Sequence, residues 1–175
     1  ARSLRAEAAE HPGIEASIEL VGRFNYAGIT IESWQIESEI AALLRTLETD
    51  RPRAVLEIGT ARGGTLFLLT RAAGLDALLV SVDLRHGQFG GGYEWWRGRL
   101  YRSFARDRQR IELVVGDSHE PRTQERIRRL LGGVWRVEQR AQRRRCRGGC
   151  RGRGGGRRGG RRGGRRGRRG RPRLF

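Results

Sequence analysis

The sequence predicts an α/β protein from three observations. Residues 54–58, 77–82 and 111–115 are short, largely apolar runs, and each is followed closely by glycine or aspartate. Segments with the three- and four-residue apolar spacing of helices separate these runs. A glycine-rich turn follows the first run. Apolar strands alternating with helices indicate parallel βαβ units that are covered on both faces. We therefore predict a Rossmann-like, doubly wound parallel sheet that is incomplete, with three βα units.

The chain before the first strand contains one clear helix. Residues 1–32 are treated as an N-terminal segment with weak signals, namely a short helix at Ser3 to Glu10 followed by the breaker Pro12-Gly13. A helix is predicted over Ser33 to Glu48, because apolar residues recur at helical spacing until Asp50-Arg51-Pro52. Its apolar stripe consists of Ile36, Ile40, Leu43, Leu44 and Leu47.

The remaining elements alternate regularly between strand and helix. The first strand covers Ala54 to Ile58 and ends at Gly59, and the next helix covers Thr65 to Ala73 and is closed by Gly74. The later elements are a strand at Ala77 to Val82 that ends at Asp83, a helix at Glu94 to Ala105, a strand at Ile111 to Val115 that ends at Gly116-Asp117, and a helix at Pro121 to Leu131 that Gly132-Gly133 stops. Residues 33–133 are thus predicted to form a partial nucleotide-binding domain.

The charge of the chain is concentrated in its last 42 residues. Up to residue 133 there are 19 arginines and 18 acidic residues, whereas residues 134–175 hold 18 arginines and the single acid Glu138. This arginine- and glycine-rich tail has few sizeable apolar groups. It therefore cannot offset a chain entropy of roughly 1–2 kcal/mol per residue, and we predict that it is disordered.

Several classes of protein are excluded or not indicated by the composition. Cys146 and Cys150, the only cysteines, have no nearby histidine and fall short of a zinc site, so we predict no metal. No run of 18 apolar residues predicts a membrane span, and the first residues lack a signal-peptide pattern. A cytoplasmic location is the resulting expectation.

The candidate ligand site lies where predicted strands end. Glu57 to Gly64 connects the first strand to a helix with the spacing G-x-x-x-G-G, and glycine lets the backbone turn tightly and admits a ligand without a Cβ in the way. Asp83 ends the second strand, and Asp117 followed by Ser118 ends the third. Ligands of open α/β sheets bind in the crevice beyond the carboxyl ends of the strands, so these acids predict a cofactor site.

These motifs resemble class I S-adenosylmethionine-dependent methyltransferases of the cephalosporin hydroxylase-like and rhamnosyl O-methyltransferase-like group. The resemblance covers residues 35–133, roughly the front half of such a domain. The stretches that carry it are Val55-Leu56-Glu57-Ile58-Gly59-Thr60, Gly63-Gly64-Thr65, Ser81-Val82-Asp83-Leu84, Gly90-Gly91-Gly92-Tyr93, Tyr101-Arg102-Ser103-Phe104 and Gly116-Asp117-Ser118-His119.

The resemblance implies a cofactor, an activity and site residues. The cofactor would be S-adenosylmethionine, and the acceptor a hydroxyl of a sugar or small natural product. Gly59 and the neighbouring backbone of the turn would face the methionine part of the cofactor, Asp83 the ribose hydroxyls, and Asp117 with Ser118 the adenine. Glu57 would orient the turn or the cofactor amino group. The rest of the turn assigned to cofactor binding comprises Thr60, Gly63 and Gly64.

The residues alone leave alternatives open for the cofactor, for the catalytic base and for the aromatic loop. An NAD site would require G-x-G-x-x-G, which the turn lacks. His119, near the predicted crevice, is the candidate catalytic base beside His86, or else a solvated loop histidine. The aromatic loop of residues 87–96 is either a wall for the acceptor or packing for the helix that follows it.

The tail begins where a fourth strand is due, and two hypotheses explain it. It could be an arm that binds RNA without sequence preference, through phosphate charge and stacking. Alternatively, the reading frame was lost near Gly133, and the abrupt change of composition favours this second hypothesis. Because the family places acceptor or metal residues beyond that point, we predict that this chain is inactive as a methyltransferase. The three-stranded sheet would also leave its first strand at an open edge.

Overall fold

The computed structural model describes residues 2–85 and 92–133. The predicted tail, its disorder and its RNA binding lie outside the described residues, as do His86 and most of the glycine-rich loop. The elements in chain order are α1 (Arg2–Glu10), α2 (Ile14–Arg23), β1 (Asn25–Tyr26), β2 (Ile29–Thr30), α3 (Glu37–Asp50), β3 (Ala54–Ile58), α4 (Gly64–Ala72), β4 (Leu78–Asp83), α5 (Trp95–Arg102), β5 (Arg110–Val115) and a helix over residues 121–133, here α6.

The predicted parallel sheet is confirmed. Its strand order is β3-β4-β5, with β3 parallel to β4 and β4 parallel to β5. The register pairs Ile58 with Val82 and Asp83 with Val115, so the carboxyl ends of all three strands lie at one edge. Among the described residues β3 pairs only with β4, and it therefore forms the open edge that the sequence predicts. The short β1 and β2 form a separate antiparallel hairpin.

Both faces of the sheet are covered, as expected for parallel strands. One face contributes Val55, Leu79 and Ile111 to a buried cluster that also contains apolar residues of α1, α2, α3 and α4. The other face contributes Val80 and Val82 to a smaller cluster with Ile127 of α6. Each fully buried aliphatic side chain stabilises the fold by about 1.5–3 kcal/mol relative to its exposed state. This two-sided burial holds the strand ends in register.

The structure corrects the N-terminal half of the prediction. The helix at Arg2–Glu10 is confirmed, but α2 was not predicted, although its Leu20 and Val21 are buried in the main cluster. The predicted helix from Ser33 begins only at Glu37. Ile36, assigned to its apolar stripe, precedes the helix in extended conformation and is 64% exposed. Residues 31–36 instead run past the glycine-rich turn, where Gly64 N–H donates to Glu32 O at 3.0 Å.

Smaller differences concern the ends of elements. The second predicted strand is shifted by one residue and includes Asp83, and the third begins at Arg110. The helix predicted at Glu94 to Ala105 covers only Trp95–Arg102. The helix predicted to stop at Gly132 is still helical at residue 133, because a glycine permits a helix end without forcing one. No helix in the described ranges is long and apolar enough to cross a membrane.

We predict that Gly64→Ala destabilises the fold while Gly22→Ala does not. A Cβ at Gly64 would overlap the backbone of Glu32 and Ser33, which cannot rotate away as a side chain can. The expected loss is about 2–3 kcal/mol of unfolding free energy, measured by urea denaturation. A Cβ at Gly22, inside α2, meets nothing within 4 Å and should stabilise by about 0.5–1 kcal/mol. Equal effects of the two substitutions would contradict this packing.

Candidate functional site

A cavity of about 520 Å³ opens at the carboxyl ends of the three strands. Its position is the one predicted for a ligand of an open α/β sheet. The structure brings six of the predicted site residues together in its wall: Gly59, Thr60, Asp83, Asp117, Ser118 and His119. All three strands contribute: Asp83 is the last residue of its strand, and the other residues lie within four positions of the carboxyl end of theirs. No group of side chains within the described ranges is arranged to hold a metal ion.

Asp83 is the last residue of the central strand β4 and is partly exposed in the cavity. Its Oδ2 accepts a hydrogen bond from Ala61 N–H at 3.1 Å, and its Oδ1 accepts one from Leu84 N–H at 2.8 Å. A carboxylate has about four lone-pair sites, so each oxygen can accept one further bond. Asp83 is thus fixed by the turn and can still receive two hydroxyl groups.

The glycine-rich turn curves over Asp83. Gly59 has φ of 86°, and its N–H donates to Val82 O at 2.8 Å. A Cβ added at Gly59 would meet nothing within 4 Å, so here glycine serves the positive φ in a backbone that faces the cavity. Ala61 also has positive φ, at 45°, which aims its N–H at Asp83. The backbone of the turn is therefore held against β4, and Gly59 leaves the space beside it open to a ligand.

Gly63 and Gly64, which the family resemblance assigns to cofactor binding, pack closely against other parts of the protein. Neither is part of the cavity wall. A Cβ at Gly63 would overlap the ring of Tyr101, and one at Gly64 would overlap the backbone of residues 32 and 33. These two glycines allow close packing inside the protein. Neither glycine contacts the cavity in which the cofactor is expected to bind.

The third strand is followed by a hydrogen-bonded pair of polar residues, Asp117 and His119, at the rim of the cavity. Asp117 Oδ1 accepts the His119 backbone N–H at 2.8 Å and lies 3.2 Å from His119 Nδ1. The first of these bonds, more than the second, lowers the pKa of Asp117. The side chain of His119 is 94% exposed at the rim of the cavity. Within residues 2–85 and 92–133, Asp117 is the side chain bonded to its ring, so His119 has the position of a solvated loop residue at the cavity rim.

Glu57, in contrast, is buried behind the turn and is not part of the cavity wall. Ser81 Oγ donates to its Oε2 at 2.5 Å, while its Oε1 is buried without a hydrogen-bond partner. Burial raises the pKa of Glu57 to about 7, nearby Asp83 adds to the increase, and the Ser81 hydrogen bond opposes it. Direct contact with a ligand amino group is not available to this carboxyl in the present conformation.

A chain of hydroxyl groups connects Glu57 to the cavity. Thr60 Oγ1 lies 2.5 Å from Ser81 Oγ and 2.7 Å from the hydroxyl of Tyr93. Tyr93 donates in turn to the carbonyl oxygen of Ser81 at 2.8 Å, and its ring packs edge-on against Tyr101. For Tyr93, therefore, the packing interpretation of the aromatic loop holds. The sequence showed no signal for this network, because its members are hydroxyl residues 12 to 33 positions apart.

The N-terminal segment supplies a wall of the cavity that sequence reasoning missed. Glu32, Trp34 and Gln35 line it together with Ile58 and Leu84. Trp34, Ile58 and Leu84 are 54%, 56% and 49% exposed, which gives the cavity an apolar, partly open wall. Glu32 Oε1 also accepts from Arg62 at 2.8 Å. Only the course of residues 31–36 past the glycine-rich turn brings these side chains to the strand ends, and no local sequence pattern predicts that course.

The fold and the site define a class of structure: a Rossmann-like α/β unit with a ligand cavity at the carboxyl ends of its parallel strands. Among solved structures, the chain is similar to the O-methyltransferase TomG from Streptomyces achromogenes, which is involved in tomaymycin synthesis and was crystallised with SAM. The identity is 19% and the TM-score 0.37, over 60% of this chain and 43% of TomG. It is also similar to a putative O-methyltransferase from Klebsiella pneumoniae, with 22% identity and a TM-score of 0.35, over 65% of this chain and 49% of that one.

The first of these structures is an O-methyltransferase, and the second is a putative one. The chain spans less than half the length of either one. No protein-family model matches the sequence, and the comparison with curated proteins gave no match.

Proposed function

We propose that the cavity binds S-adenosylmethionine, and that residues 33–133 are the cofactor-binding part of a methyltransferase. The observation that supports this most directly is Asp83, a carboxylate fixed by two backbone N–H groups at the end of the central strand, with two acceptor sites still open toward the cavity. The two hydroxyls of a ribose match a carboxylate with this geometry.

The other walls fit the remaining parts of the cofactor. The partly exposed Ile58, Leu84 and Trp34 offer apolar surface to a planar base. Asp117 and Ser118 add polar groups at the same edge, where they would meet the polar rim of the adenine. Gly59, open on its Cα side, leaves space for the methionine part. The acids Glu32, Asp83 and Asp117 suit a ligand that carries a positive sulfur.

The expected reaction is O-methylation of a hydroxyl on a sugar or a small natural product. Bound S-adenosylmethionine supplies an electrophilic methyl group on its sulfonium. The residues described here would bind and orient that cofactor, which contributes through positioning of the reacting atoms. His119, at the rim, is the candidate for taking up the acceptor proton, since it is the histidine in the cavity wall. The acceptor is expected to be held by residues beyond the third strand–helix unit.

Binding and transfer are tested separately. Titration calorimetry should show that the 175-residue chain binds S-adenosylhomocysteine, weakly, and in preference to NAD. Preferential binding of NAD would refute the proposal. Methyl transfer to a small hydroxylated acceptor by the same chain should be undetectable. The family resemblance implies a second half of the domain that binds the acceptor, and the cavity wall contains no residue from it. Measurable transfer would show that this chain is active and would overturn that expectation.

A further inference from the structure

Among the described residues, no basic side chain forms an ion pair with the buried carboxyl of Glu57. One of its oxygens accepts from Ser81, and the other has no hydrogen-bond partner. An anion removed from water is costly unless it is paired or fully hydrogen-bonded. Glu57 is the one acidic residue in the buried part of the described chain, and the proposed function gives it no direct contact with the ligand.

Its position places that charge directly behind the cavity wall. Ser81 connects Glu57 to Thr60, and Thr60 lines the cavity. Asp83, which also lines the cavity, is close enough to repel Glu57 electrostatically. Because protein rather than water fills the space between Glu57 and the wall, a charge here is screened less than one at the surface.

We infer that Glu57 is a specificity-determining residue that makes the cavity bind a positively charged cofactor more tightly than the neutral product. This inference rests on the proposed function. S-adenosylmethionine and S-adenosylhomocysteine share adenosine and amino acid parts, and they differ by one methyl group and the positive charge on sulfur. An ionised Glu57 attracts that sulfonium and leaves the thioether almost unaffected.

The test is the ratio of the two affinities, followed from about pH 6 to pH 8 by titration calorimetry. Burial raises the pKa of Glu57 to about 7, so the carboxyl becomes charged within this range. The groups facing it are Asp83 and the tyrosines Tyr93 and Tyr101, whose pKa values are themselves raised by burial, so both tyrosines stay neutral. The preference for S-adenosylmethionine should increase about tenfold as the pH rises. The carboxylate formed at Glu57 then attracts the sulfonium from an intermediate distance, across an interior that screens the attraction only partly.

Three variants decide the outcome. Glu57→Gln keeps the shape without the charge, and its affinity ratio should not change with pH. Ser81→Ala removes the hydrogen bond that favours the ionised carboxyl, so the pH midpoint of the ratio should move upward. His119→Gln removes the histidine of the cavity wall and shows whether that ring, rather than Glu57, causes the pH dependence. Because each variant is compared by a ratio, a general loss of affinity or stability cancels.

The outcomes separate the two proposals. If both ligands bind but the ratio is flat in the unmodified chain, or changes with pH equally in Glu57→Gln, then Glu57 does not determine specificity while the cofactor site stands. A pH dependence abolished by His119→Gln would likewise assign the effect to the histidine. If neither ligand binds, the proposed function itself fails, and this inference fails with it.

Discussion

Asp83→Ala is expected to weaken the binding of S-adenosylhomocysteine by about 100-fold or more, which would put it below detection for a weak ligand. The carboxylate would accept two ribose hydroxyls, and hydrogen bonds to a charged group contribute about 1.5–3 kcal/mol each. The substitution also removes the acceptor of the Ala61 and Leu84 N–H groups, so the turn loses its fixed position beside the ligand. Calorimetric titration of the variant and the unmodified chain measures the effect.

Asp76→Ala is the matched control, because Asp76 precedes the same strand at its opposite end. It pairs with Arg53 at 2.9 Å, and both side chains are 40% exposed. Such an exposed pair contributes little to stability, and Asp76 lies outside the cavity wall. Its removal should leave the affinity unchanged. Equal affinities for the Asp83 variant and the unmodified chain would remove Asp83 from the site, and an equal loss in both variants would indicate a general effect on folding.

Glu57→Gln is expected to change how stability depends on pH, by about 3 kcal/mol across the acidic range. The pKa of Glu57 is raised from 4.5 to about 7, mainly by burial. The folded protein therefore binds this proton more tightly than the unfolded chain does. The resulting stabilisation is complete below about pH 4.5 and is lost as the pH rises to about 7. Glutamine has no such proton, so the variant should lack this contribution.

The measurement is the difference in unfolding free energy between the two proteins, from urea denaturation at several pH values. Using the difference cancels the other titrating groups. The unmodified protein should lose stability relative to the variant between about pH 4.5 and 7 and show no further relative change above that. Glu112→Gln, on the third strand and only partly buried, is the matched control for the replacement of a carboxyl by an amide. A pH-independent difference for Glu57→Gln would mean that its carboxyl is solvated rather than buried.

Much of the sheet could be predicted from local pattern, because a buried parallel strand must be apolar on both faces. The predicted apolar runs agree within a few positions with the observed strands, which cover residues 54–58, 78–83 and 110–115. The residues at the ends of these strands mark the edge of the sheet where ligands bind. Helix α2 was missed although Ile14, Ile18 and Val21 recur at helical spacing, because this short pattern follows directly on the breaker Pro12-Gly13. Its burial depends on contact with α3 and α4, which no local window contains.

The sequence by itself determined the strand order along the chain, the turn after β3 and the polar residues at the strand ends, because each of these depends on neighbours within one element. Only the tertiary structure decided what those residues do. It turned Gly63 and Gly64 toward Tyr101 and residues 32–33 instead of the cavity, and it placed Glu57 behind the cavity wall. These outcomes depend on close contacts between segments 24 to 40 positions apart, and such contacts are set by packing rather than by spacing along the chain.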